Sequence, residues 1–124
     1  MLAYLKGEPG ADVVDVLLRN PAEPCYAHAV NLCEVYYDFL RRADVRTAEQ
    51  AVADLLADGV CERQDMGRRF WRRVGQLKAR GGISLADCFC IALAQQLGGE
   101  IVTSDHHEFD PLVPLGLCPI TFIR

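Results

Sequence analysis

Glu34, Asp87 and Asp105 are carboxylates placed where their neighbours are apolar. Glu34 interrupts Val30-Asn31-Leu32-Cys33-Glu34-Val35-Tyr36-Tyr37. Asp87 interrupts Ile83-Ser84-Leu85-Ala86-Asp87-Cys88-Phe89-Cys90-Ile91-Ala92-Leu93. Asp105 closes Ile101-Val102-Thr103-Ser104-Asp105, which reads as a buried strand ending on an acid. An ionised carboxylate is costly to bury unless it is paired, hydrogen-bonded or bound to a cation. Three such settings point to one shared site, and an all-oxygen cluster suits Mg2+ or Mn2+. Each acid also has a purely structural reading. Asp105 suits an Asx-type turn at a strand end, and Asp87, three residues after Ser84, fits a capping box in a first helical turn. Glu34 is a candidate partner for one of the chain's arginines.

Residues near these acids can support them. Asn31 lies one turn before Glu34 on the same helical face, placed to orient its carboxylate or to touch a phosphate. Thr103 and Ser104 precede Asp105 and can orient it, although both residue types are ordinary at strand ends. Asp110 is a further acid before Pro111, in what also reads as a turn start. A second kind of chemistry lies between Arg63 and Arg80. The net charge is −4, yet this stretch holds Arg63, Arg68, Arg69, Arg72, Arg73, Lys78 and Arg80 against Asp65 alone, a local balance of +6. A basic element beside an acidic body suits a polyanion gripped at one surface and processed at another. Arg68, Arg69, Arg72 and Arg73 are the expected RNA-phosphate contacts; the plainer reading is a solvated helix face.

Helices and strands must position these groups. Ala11 to Arg19 reads as a short amphipathic helix after the Gly7-Glu8-Pro9-Gly10 turn, and Cys25–His28 as a strand. Helices follow over about Val30–Arg42 and Thr47–Ala57, the latter stopped by Gly59, with a weak strand at Val60–Arg63. The basic helix is expected over Met66–Arg80, with Met66, Phe70, Val74 and Leu77 as its buried stripe. Phe70 and Trp71 read as core rather than as surfaces for stacking bases. Ser84 opens a helix running to Leu97 before Gly98-Gly99. Glu100–Ser104 and Ile120–Ile123 are the clearest strands. Alternating helices and apolar strands predict a three-layer α/β sandwich with a mostly parallel central sheet, where sites form at the carboxyl ends of strands.

A chain of 124 residues, 51% hydrophobic, fits one domain over 1–124 with a single core. Charges break every apolar run well short of the roughly 20 residues a membrane span needs, and no export signal is evident at the N-terminus. Cysteines 25, 33, 61, 88, 90 and 118 therefore read as reduced core thiols of a cytoplasmic protein. Structural zinc is the alternative, without a C-x-x-C pair to support it. His28 is expected at a strand end or in the core, His106 and His107 in a loop. The absence of a phosphate-loop, G-x-G-x-x-G or G-x-S-x-G motif argues against an unrelated nucleotide-binding or serine-hydrolase chemistry.

The ordered set of pieces resembles the PIN domain, and within it the VapC-type toxins of bacterial toxin–antitoxin pairs. The matching pieces are Leu2-Ala3-Tyr4-Leu5-Lys6-Gly7-Glu8-Pro9-Gly10, Asn31-Leu32-Cys33-Glu34-Val35, Ser84 to Ala94, and Val102-Thr103-Ser104-Asp105 with Phe109. The resemblance implies a metal-dependent endoribonuclease of the cytoplasm, a toxin hydrolysing RNA phosphodiester bonds. Glu34, Asp87 and Asp105 are then its catalytic and metal-binding acids, Mg2+ or Mn2+ its cofactor, and a homodimer and a cognate antitoxin its assemblies. The family pattern also opens with a strand ending in an aspartate just upstream of Leu2-Ala3-Tyr4-Leu5, whereas Met1 falls inside that pattern. The first strand is thus expected to be missing, either through a coding start that lies upstream, the favoured explanation, or through natural truncation. A catalytically impaired module that binds RNA or an antitoxin without cleaving is the alternative function.

Overall fold

The computed structural model describes all 124 residues. They form a helix-rich α/β arrangement in two compact units, Met1–Arg63 with Arg124, and Gln64–Ile123.

In the first unit, the elements are α1 (Leu2–Leu5), α2 (Ala11–Leu18), β1 (Tyr26–His28), α3 (Ala29–Arg42), α4 (Val45–Ala57) and β2 (Cys61–Arg63). His28 ends β1, is buried, and accepts the Val30 N–H at Nδ1 over 3.2 Å, so it is the N-cap of α3. Its place at a strand end follows the reading of the sequence. Asp44 caps α4 in the same way, accepting from the Thr47 N–H at 2.7 Å. Gly59 follows α4 at φ +115°, and an added Cβ would meet the Leu18 carbonyl at 3.3 Å, so conformation and space both call for glycine. β1 and β2 pair in parallel, Tyr26 opposite Cys61 and His28 opposite Arg63. Ala27, Leu32, Val35, Ala51, Leu55 and Val60 form the core, with Leu2, Leu5, Leu18 and Phe39 packed on it. Asp38 ties α1 to α3 by accepting from Lys6 at 2.7 Å and Arg42 at 3.1 Å, which holds its carboxyl below the usual range. Arg124 returns to this unit, pairing with Glu8 at 3.1 Å.

In the second unit, α5 (Arg68–Ala79) precedes α6 (Leu85–Leu97), β3 (Ile101–Thr103), α7 (His106–Phe109), a 3-10 turn over Asp110–Leu115, and β4 (Ile120–Phe122). Phe70, Val74 and Leu77 are buried at helical spacing, as expected, and Phe70 meets Phe89 of α6 with ring centroids 5.9 Å apart. Met66 is not part of that stripe. It is 59% exposed, because Gly67 takes extended angles as the N-cap and leaves Met66 outside the helix. α6 buries seven residues, starts at the Ser84 cap and ends at Gly98 in the left-handed region. β3 and β4 are parallel, Ile101 opposite Ile120 and Thr103 opposite Phe122.

The ladders thus form two parallel pairs, each strand three residues long. Such short strands contribute few ladder bonds, and helix packing carries most of the apolar burial. No helix is long and apolar enough to cross a membrane.

Candidate active site

Three carboxylates of the second unit share one electrostatic neighbourhood. Asp87 sits in the first turn of α6, half-buried, where Ser84 Oγ accepts its backbone N–H at 3.1 Å. The same hydroxyl donates to Asp87 Oδ2 at 2.5 Å, so the capping pattern read from the sequence is real and fixes the carboxylate. Burial pushes the Asp87 carboxyl above its ordinary value; the Ser84 hydrogen bond opposes this, and the charges of Glu108 and Asp105 add to it.

Asp105 follows β3 and caps α7, its Oδ1 accepting from the Glu108 N–H at 3.0 Å. Thr103 Oγ1 in turn accepts the Asp105 N–H at 3.0 Å, which locks the turn that presents Asp105. Thr103 and Asp105 are therefore brought together; Ser104 is half-buried between them in the chain. Asp105 itself is exposed. One oxygen of Asp87 and one of Asp105 are engaged, leaving Oδ1 and Oδ2 respectively, together with the Glu108 carboxylate, for another ligand. Asp110 stands apart in role, paired with His106 at 3.0 Å. His106 lies in α7 rather than in a loop, its ring stacked on Phe122.

Glu108 is the acid that the sequence reading missed. Its signal was present: Asp105-His106-His107-Glu108 has the spacing of an N-cap acid and its third helical residue. A cleft of about 460 Å³ lined by Lys78, Gly82, Ile83, Ser84, His107 and Glu108 shares two residues with this neighbourhood. Lys78 Nζ is anchored there on the Ile83 carbonyl at 2.7 Å.

Glu34 and Asn31 belong to the first unit. Both lie on α3, Asn31 buried and Glu34 half-buried in the second turn. Within neither unit do three or more His, Cys, Asp or Glu side chains gather as a ready ligand set for a metal. The donor chemistry of Asp87, Asp105 and Glu108 nonetheless suits a hard divalent cation: all oxygen, mutually repelling, with free lone pairs. The cysteines are all free thiols, but only Cys88 is buried, and Cys33 and Cys61 are exposed. Cys33 follows buried Leu32 and lies on the solvent side of α3, so most of these thiols are not core residues.

The arginines of α5 line a groove of about 940 Å³ with Phe70, Gln76, Ala92, Gln95 and Gln96. Arg73 Nε donates to Gln95 Oε1 at 2.7 Å, and Gln95 Nε2 donates to the Leu117 carbonyl at 2.7 Å, so one guanidinium is held in place. Arg72 stands over the Trp71 ring, 5.8 Å from its centroid. No carboxylate pairs with Arg68, Arg69, Arg72 or Arg73. The first turn of α5 contains no acid either, although the positive end of a helix favours one. Trp71 corrects the expectation of a core residue: it is 47% exposed.

The PIN domain family model matches residues 1–111, and the chain belongs to that family. PIN domains are usually nucleases acting on RNA or DNA, and they generally use divalent metals. No curated protein and no solved structure gives a significant match.

Proposed function

We propose that this PIN domain is a divalent-metal-dependent endoribonuclease, the toxin of a toxin–antitoxin pair, acting in the cytoplasm as a single three-layer domain over 1–124. The observation that carries the reading is the grouping of Asp87, Asp105 and Glu108 beside a cleft, with the Asp87 carboxyl raised by burial and, to a lesser degree, by the charges of Glu108 and Asp105. The catalytic and metal-binding acids in this proposal are Glu34, Asp87 and Asp105. Glu34 enters on its sequence setting and on the family resemblance. Asn31, Thr103 and Ser104 support them, and the proposal adds Glu108 because its charge acts on Asp87.

Bound Mg2+ or Mn2+ would supply a Lewis acid that neutralises phosphate charge and lowers the pKa of an attacking water. The chain's own residues have separate tasks. Ser84 fixes the Asp87 carboxylate, and Thr103 with the Glu108 N–H fixes Asp105. Without a cation, burial and then repulsion from Glu108 and Asp105 raise the Asp87 carboxyl above its ordinary value. Arg68, Arg69, Arg72 and Arg73 bind substrate phosphates, a role supported by their lack of acidic partners. Exposed Tyr37 and Leu40 on α3 support coverage by an antitoxin or a second copy. Free thiols suit a reducing compartment.

A second reading, a PIN-like module that holds RNA or an antitoxin without cleaving, is favoured by the lack of a gathered ligand set. One experiment separates the two. RNA cleavage is measured while Mg2+ or Mn2+ is titrated, for the chain and for Asp87→Asn. Metal-dependent cleavage lost in the variant supports the nuclease. Cleavage that persists in Asp87→Asn refutes the assigned site, and binding without turnover at any metal concentration selects the second reading.

A further inference from the structure

Trp71 is the one large aromatic side chain that the basic helix leaves in solvent. Its neighbours one helical turn away are Gly67 and Gly75, and no atom lies within 4 Å of where a Cβ would sit at either. The positions four residues before and after Trp71 thus carry no side chain to cover the indole. Glycine inside a helix is destabilising relative to alanine, and no packing contact requires Gly75. Arg72 adds a guanidinium over the ring at 5.8 Å. The same arginine lines the groove together with Arg68, Arg69 and Arg73.

We propose that Trp71 is a stacking platform for an unpaired base of a single-stranded RNA whose phosphates run along Arg68, Arg69, Arg72 and Arg73. The inference rests on the RNA reading of this face and narrows it to single strands. Bases within a duplex keep their faces covered by their neighbours, whereas an unpaired base offers a face to an aromatic ring. Arginines without acidic partners beside a half-exposed indole match a phosphate chain carrying flat bases. An acidic peptide would use the arginines without needing the ring.

Trp71 is the only tryptophan of the chain, so its emission reports this surface directly. The experiment mixes the full chain, with chelator present so that nothing is cleaved, with a single-stranded oligouridylate of about eight nucleotides. Controls are an abasic oligomer with the same phosphates, a duplex, and an oligoglutamate. The oligouridylate is expected to quench Trp71. Measured by anisotropy of a labelled oligomer, Trp71→Ala should weaken binding about five- to a hundredfold while leaving the salt slope unchanged, and Trp71→Tyr should restore most of the affinity.

Equal affinity for the abasic oligomer, or unchanged emission at saturation, would overturn the platform while leaving the arginine reading intact. Quenching by oligoglutamate alone would assign the face to a protein partner. Quenching that rises with protein concentration alone would assign it to a second copy. Absence of all oligonucleotide binding would remove the RNA reading of the face together with this inference.

Discussion

The triple variant Arg68→Gln, Arg69→Gln, Arg72→Gln tests whether the charge on α5 serves binding or folding. Arg73 is left intact, because its Nε holds Gln95, which in turn holds Leu117. The other three guanidiniums pair with no carboxylate, so their removal orphans no acid. Each phosphate contact on a single strand contributes roughly 0.7 to the slope of log affinity against log salt. Three lost contacts therefore flatten the slope by about 2. Between 50 and 200 mM salt, that difference amounts to about a twentyfold smaller loss of affinity for the variant. The effect on folding has the opposite sign. Arg68 and Arg69 lie in the first turn of α5, against the positive end of its dipole, where each costs about 0.3–1 kcal/mol. Losing the Arg72–Trp71 contact removes about 0.5 kcal/mol. Urea unfolding should therefore show stability unchanged or raised by about 1 kcal/mol, while fluorescence anisotropy of a labelled RNA at several salt concentrations gives the slope. An unchanged slope would refute the phosphate role, and a strongly destabilised variant would show that the arginines serve the fold.

Asp87 has its carboxyl raised by burial and, less, by Glu108 and Asp105, so the metal-free fold disfavours its charged form relative to the unfolded chain. A raised folded-state value means stability is greatest below the unfolded carboxylate range and is lost as pH rises through the folded value. Asp87→Asn should thus raise the metal-free Tm at neutral pH, with a gain that vanishes on acidification. A constant gain across pH would contradict the burial argument. Leu77 is fully buried between α5 and its surroundings, and Leu77→Ala should cost about 2–5 kcal/mol in urea unfolding. A cost below about 1 kcal/mol would mean that α5 is not anchored by its Phe70–Val74–Leu77 stripe.

Much of the local structure was legible because its causes are local. Phe70, Val74 and Leu77 recur with the helical period, Ser84 precedes a helix three residues before an acid, and Gly98 ends one. His28 belongs to the same class, a strand-end residue that also caps a helix. The short helices α1 and α7, four residues each, span about one turn and carry no readable period. Met66 matched the stripe by spacing, but Gly67 stopped the helix short of it.

Sequence alone, then, determined the family membership, Asp87 and Asp105 as acids worth testing, the basic helix and the order of the longer helices and the strands. Burial, pairing and proximity belonged to the tertiary structure. Trp71 is only about 100° round the helix from Phe70, a boundary position whose exposure depends on the packing of α5. Glu108 became a neighbour of Asp87 because β3 and the turn after it carry Asp105 and α7 toward the start of α6. Periodicity is a property of consecutive residues, whereas the meeting of residues some twenty positions apart depends on chain closure and packing, which no local pattern encodes.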